Sequence, residues 1–210
     1  MNLIIGIVIS YFIGSVPTAY IFGKALKGLD IRKHGSGNVG ATNVFRVLGK
    51  GPGIAVLILD ILKGVLAVAL VADLLGLTTD IARIFLGVAV VCGHNWTVFL
   101  QFKGGKGIAT SLGVLIGFTI RMAVLRMVLL STVSIWLISF LLTGFVSLSS
   151  IVAATFLPIL MVLTNQNIEL VILGIVFCVF VVIRHRPNIK KLLSGQENRV
   201  MMPYFKKKAD

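Results

Sequence analysis

Apolar runs of near twenty residues, broken by short polar segments, confine this chain to a narrow class of folds. Residues 3–23, 54–72, 81–100, 122–142, 147–164 and 168–183 are such runs, and 108–120 is a shorter one. A helix needs about 20 apolar residues to cross about 30 Å of hydrocarbon. It also satisfies its own backbone polar groups, which lipid demands. The chain is 57% hydrophobic with mean hydropathy +1.02, above the roughly 45–50% of soluble domains. It therefore reads as an all-α polytopic membrane protein, with residues 1–210 forming one domain. Gly14 and Pro17 predict a kink in the first run. That run starts almost at once with no basic leader, so it is expected to stay as a span.

Charge sets the expected topology. The net charge is +13, from 20 Lys and Arg against 7 Asp and Glu. The basic residues lie between apolar runs, which points to lipid headgroups and anionic substrates rather than nucleic acid. If 108–120 is a span, the chain crosses seven times, with 16 Lys and Arg on one side and 3 on the other; Lys63 lies within a span. If 108–120 only dips in, the basic tail lands opposite the basic loop of residues 24–53. The positive-inside tendency favours seven transmembrane helices, N-terminus out and C-terminus in. Three polar segments then meet one cytoplasmic face.

The first segment is Lys33-His34-Gly35-Ser36-Gly37-Asn38-Val39-Gly40-Ala41-Thr42-Asn43-Val44-Phe45-Arg46. Gly35 and Gly37 let backbone N–H groups approach a ligand, and Ser36, Asn38, Thr42 and Asn43 offer neutral hydrogen bonds. Arg46 supplies a fork suited to phosphate. The spacing of Gly35, Gly37 and Gly40 matches G-x-G-x-x-G, but neither a strand nor a βαβ unit accompanies it, and no Walker lysine follows. The second segment, Lys103-Gly104-Gly105-Lys106-Gly107, is a glycine turn leading into a helix, which favours anions. The third begins with His185 and Asn188 and continues to Gly195 and Glu197. His185 suits phosphate binding or general base work. Glu197 is expected to pair with a local Lys or Arg and order the tail.

Other polar residues have simpler readings beside functional ones. Asp60 and Lys63, at i and i+3, can neutralise each other on one helix face or meet a substrate. His94 is expected to hydrogen-bond between helices. Ser147, Ser149 and Ser150 read first as helix N-caps, with one, Ser150, able to offer a hydroxyl to an anion. Cys92 and Cys178 lie in apolar runs and imply no disulfide. No metal-ligand cluster is visible and no cofactor is expected.

Taken together, Ser15-Val16-Pro17-Thr18-Ala19-Tyr20, the Gly35–Asn43 stretch with Arg46, Gly93-His94-Asn95-Trp96 through Gly107, and His185 with Asn188, Gly195 and Glu197 resemble three ordered motifs. They are those of the bacterial acyl-phosphate:glycerol-3-phosphate acyltransferase family. The resemblance implies seven spans in the bacterial cytoplasmic (inner) membrane and an active site facing the cytoplasm. It implies acyl transfer from acyl phosphate to the 1-hydroxyl of glycerol 3-phosphate, giving lysophosphatidic acid and phosphate, the first acylation of phospholipid synthesis. Carried over by position, Ser36, Arg46, Lys106, His185 and Asn188 are its catalytic set. Around them Gly35, Gly37, Asn38, Thr42, Asn43, Lys103, Gly104, Gly105, Gly107 and Ser150 are expected to contact substrate, and Asp60, Lys63, His94, Ser147 and Glu197 to support them. The implied partners are acyl phosphate, glycerol 3-phosphate and the lipid bilayer, with a monomer able to serve as the working unit. A membrane transporter of organic phosphates is the alternative, although such proteins place their sites at the midplane of a repeat and no repeat is seen here.

Overall fold

A computed structural model describes residues 1–200, all in helices, turns and connecting segments. Lys206, Lys207 and Lys208 of the basic tail lie outside the described residues. The first apolar run is two helices, α1 (Asn2–Ser15) and α2 (Thr18–Lys27), broken at Val16 and Pro17. A single-turn 3-10 helix, Ile31–Lys33, precedes α3 (Ala41–Leu48). Next come α4 (Lys50–Val65), a wider π turn over Leu66–Val71, and the short α5 (Ala72–Leu74). Then follow α6 (Asp80–Asn95), α7 (Ile108–Arg121), α8 (Leu125–Thr143), α9 (Val146–Leu163), α10 (Ile168–Arg184) and α11 (Arg186–Leu193).

Among the described residues, Asn2–Lys27, Lys50–Leu74, Asp80–Leu100, Leu125–Thr143 and Val146–Leu163 are long and apolar enough to cross a membrane. Ile168–Arg184 and Arg186–Leu193, which meet at a 60° bend, make a sixth when counted as one broken span. The helix over 108–121 has 14 residues, about 21 Å at about 1.5 Å per residue. The chain divides into two compact units, Met1–Leu129 and the part from Leu130 onward.

In the first unit α1 packs on α6 and α4 on α7. Glycines permit this closeness: a Cβ at Gly93 would stand 2.9 Å from the Ser15 nitrogen, and one at Gly64 would stand 2.7 Å from the Gly113 carbonyl carbon. Without water between spans, such small-residue contacts are a main source of helix association. The break at Pro17 frees carbonyls that buried side chains then take up. Lys63 Nζ donates to the Val16 carbonyl at 2.7 Å, and Thr97 Oγ1 donates to that of Ser15 at 2.6 Å. At the far end of the unit, Arg83 donates to the Val68 carbonyl in the π turn (2.6 Å) and to Asp73 Oδ1 (2.6 Å). Arg121 holds the other oxygen of the same carboxylate.

The sequence leaves residues 24–53 as one loop, but helices occupy much of it. α3 was hidden by its brevity: it has 8 residues, with Asn43 and Val44 buried and Arg46 exposed.

In the second unit α9 packs on α10, with Gly174 lying against Pro158 inside α9. The serines at the start of α9 are not caps. Phe145 holds the N-cap position, and no side chain caps there. Ser149 and Ser150 donate back to the carbonyls of Phe145 and Val146 (2.9 and 2.8 Å), a pattern open to hydroxyls already inside a helix. The last described stretch folds onto the α8–α9 turn. Val200 N–H donates to the Gly144 carbonyl at 2.8 Å, Arg199 Nε donates to that of Thr143 at 2.8 Å, and the Arg199 guanidinium lies over the Phe145 ring.

Candidate active site

The first polar segment is a loop held by one side chain. Asn43, fully buried, accepts from the Ser36 N–H (2.8 Å) and donates to the carbonyls of Ile31 (3.2 Å) and His34 (3.0 Å). Its amide therefore serves the loop, where ligand contact was expected. Gly35 and Gly37 have φ of 60° and 71°, the left-handed region that glycine enters without a Cβ clash. Upstream, Asp30 accepts from the Arg32 backbone and guanidinium and caps the 3-10 turn. The Arg32 hydrogen bonds hold its carboxyl well below the usual range, at about 2. The clamp leaves Ser36 and Arg46 exposed, with Asn38 and Thr42 half-buried. Thr42 and Arg46 are four residues apart on α3 and so share a face.

The second segment is shaped by close approach. Gly104 and Gly105 donate their N–H groups to the carbonyls of Asn95 (3.2 Å) and His94 (3.0 Å) at the end of α6. A Cβ at Gly105 would run into His94 Nε2 and stand 2.8 Å from the Val39 carbonyl. The paired glycines thus let the turn lie flat on α6 and against the first loop. Gly107, at φ 79°, opens α7. Just before the turn, Gln101 and Phe102 adopt φ of 54° and 61°. Such backbone is strained for a residue with a bulky side chain. Lys103 is exposed and Lys106 half-buried. Within this unit the structure therefore brings the Ser36–Arg46 and Lys103–Gly107 segments together.

Beneath them lies a buried ionic cluster. Asp60 Oδ1 accepts from Lys63 Nζ (2.6 Å) and Thr18 Oγ1 (2.7 Å), and His94 Nδ1 stands 3.6 Å away. Asp60 and Lys63 thus neutralise each other, and Thr18, which the sequence marks only as part of the first motif stretch, completes the set.

In the second unit Glu197 Oε1 accepts from Ser147 Oγ and from Asn188 Nδ2, each at 2.7 Å. The acid ties α9 to α11, a wider role than the local tail pairing its basic surroundings suggest. His185 Nδ1 lies 2.8 Å from the Val181 carbonyl. A carbonyl only accepts, so Nδ1 carries the proton and the remaining chemistry of this ring is at Nε2. Ser150 Oγ accepts from Trp136 Nε1 at 3.2 Å, a partner that no sequence spacing announces.

Residues 4–195 match the family model described as Glycerol-3-phosphate acyltransferase. The chain is 43% identical over 193 residues to the glycerol-3-phosphate acyltransferase of Fusobacterium nucleatum, covering 92% of this chain and 95% of that one. It is 46% identical over 200 residues to that of Desulforudis audaxviator, covering 94% of each. Crystal structures of PlsY, an integral membrane glycerol 3-phosphate acyltransferase, are also similar. Its glycerol 3-phosphate form has a TM-score of 0.87 at 37% identity over 96% of both chains. Its lysophosphatidic acid form has 0.84 at 36%, with the same coverage. By sequence and by fold, this chain belongs to the glycerol-3-phosphate acyltransferase family.

Proposed function

We propose that this membrane enzyme transfers an acyl group from acyl phosphate to the 1-hydroxyl of glycerol 3-phosphate, releasing lysophosphatidic acid and phosphate in phospholipid synthesis. The observation that carries the reading is the approach of two glycine-and-cation segments in the first unit, where Gly105 lies against the Val39 carbonyl. The chain acts as one domain of seven spans, counting the short α7, with N-terminus out and C-terminus in. Its site faces the cytoplasm from the inner membrane, and a monomer suffices.

Glycerol 3-phosphate carries about two negative charges near neutral pH, as other phosphate monoesters do. Arg46, Lys106, His185 and Asn188 are each assigned a contact to a substrate phosphate. Ser36 orients a substrate oxygen, and the turns at Gly35, Gly37, Gly104, Gly105 and Gly107 shape the backbone around it, with the N–H groups of Gly37, Gly104 and Gly105 held on protein carbonyls. Asn38, Thr42, Lys103 and Ser150 line the substrates. The acyl phosphate is already activated, so no acyl-enzyme is needed. The glycerol hydroxyl oxygen attacks the acyl carbonyl carbon, the bond from that carbon to the phosphate oxygen breaks, and phosphate leaves. The hydroxyl proton passes to a substrate phosphate oxygen. Positioning and charge neutralisation supply the rate. Asp60 and Lys63, the charges that a transport site at the midplane would use, are paired with each other, so the transporter alternative is not favoured.

Purified protein in detergent tests this directly. Phosphate should appear only when acyl phosphate and glycerol 3-phosphate are both present. No release, with uptake of organic phosphate into vesicles, would replace the enzyme with a transporter. His185→Gln should raise the KM for glycerol 3-phosphate with kcat near normal, and loss of kcat at saturating substrate would make His185 the base.

A further inference from the structure

The buried cluster of Thr18, Asp60, Lys63 and His94 has no part in gripping phosphate, yet it lies directly under the loop that does. Only 1% of Asp60, 6% of Lys63 and 8% of His94 is exposed, so none of them presents itself to a phosphate. Burying an ion pair is a poor way to gain stability, because apolar residues of similar volume are often as good or better. The arrangement around Asp60 suggests a different use. Lys63 reaches three acceptors: the Val16 carbonyl at 2.7 Å, Thr18 Oγ1 at 3.2 Å and Asp60 Oδ1 at 2.6 Å. The carboxylate is thereby pinned, and it faces His94 Nδ1 at 3.6 Å. The opposite edge of the imidazole, Nε2, lies under Gly105 so closely that a Cβ there would collide with it. The His94 carbonyl also accepts the Gly105 N–H at 3.0 Å. Lys106 is the next residue.

An Asp–His pair invites a reading as a general base. The Gly105 backbone covers Nε2, however, and shuts the ring off from any substrate above the loop. We propose that Asp60 and His94 are positioning residues for acyl transfer. The carboxylate, set by Lys63 and Thr18, fixes the His94 ring as the floor on which Gly105 rests, and so sets where the Lys106 ammonium stands. The proposal rests on reading Lys106 as a phosphate contact.

A double-mutant cycle on phosphate release tests it. Lys106→Ala should lower kcat/KM by about 10²- to 10³-fold, as loss of a transition-state charge contact does. His94→Gln should lower it by about 10²-fold, through misplacement of the loop. If His94 acts through Lys106, the combined variant is no slower than Lys106→Ala alone, because coupled residues do not add. Losses that multiply would overturn the proposal and leave the Lys106 reading intact. A fully active Lys106→Ala would overturn both. His94→Asn, which keeps a donor near the Nδ1 position, should retain more activity than His94→Gln. The reverse order would mean that the ring only fills space, and would overturn the proposal. Asp60→Asn combined with Lys63→Met removes both charges and leaves the Val16 carbonyl without its donor, so the thermal midpoint should fall modestly while activity falls about 10²-fold by the same misplacement. Parental activity in that folded variant would overturn the proposal, and if it does not fold, the His94 variants still decide.

Discussion

Two glycine-rich segments meet in the first unit, and they use glycine for different reasons. In the loop before α3, Gly35 and Gly37 supply positive φ, and a buried asparagine holds the resulting shape. In the turn before α7, Gly104 and Gly105 supply absence of volume, so that the chain can lie on the last residues of α6. Gly37 is limited chiefly by torsion angle and Gly104 and Gly105 by space, while Gly35 meets both limits, since a Cβ there would run into the Asn43 side chain. Composition makes them look alike, but their tolerance to substitution should differ.

The largest expected effect is at Gly105. Gly105→Ala should cut phosphate release by about 10²-fold or more, because the loop must rise off His94, and Gly105→Asn should be no better. At Gly37 the order should separate: Gly37→Ala strains the backbone by about 1–2 kcal/mol, while Gly37→Asn, which tolerates the left-handed region, recovers part of the loss. Equal behaviour of the two positions would erase the distinction drawn above. Asn43→Ala should destabilise the fold by about 2–3 kcal/mol, since three backbone groups lose their partner at a buried site. Asn43→Asp keeps only the acceptor, and thermal unfolding should place it with the alanine variant. Phe102→Gly should stabilise by about 1 kcal/mol, because the strained left-handed backbone at 102 relaxes.

The smallest effect is at Asp30. Its carboxyl is held at about 2 against an ordinary 3.8. The stability it adds is therefore present in full above 3.8 and lost as pH falls through about 2. The thermal midpoints of the parent and Asp30→Asn should differ above that window and converge below it.

The helical class was readable from apolar run length, and the glycine-and-cation segments stand out by residue type and spacing, because both are local signals. What each polar residue touches was not. Asn43 looks like a ligand group by type, and its burial against Ile31 and His34 depends on how the chain doubles back. Glu197 sits in a basic stretch, but its partners come from residues 147 and 188. Ser149 and Ser150 carry the residue type of a cap, and a helix that starts at Val146 makes them internal. For Asn43 and Glu197 a contact made by the folded chain overrode a local preference, and for the two serines the position of the helix start did.

The Glu197 junction has a practical corollary for anyone shortening the chain. A stop codon placed just after Gly195 would spare every membrane-length helix and still strip Ser147 and Asn188 of their common acceptor. The second unit of such a protein would lose the brace across α9 and α11. Deletions meant to trim a dispensable basic extension therefore have a sharp lower boundary, and it lies on the far side of residue 197.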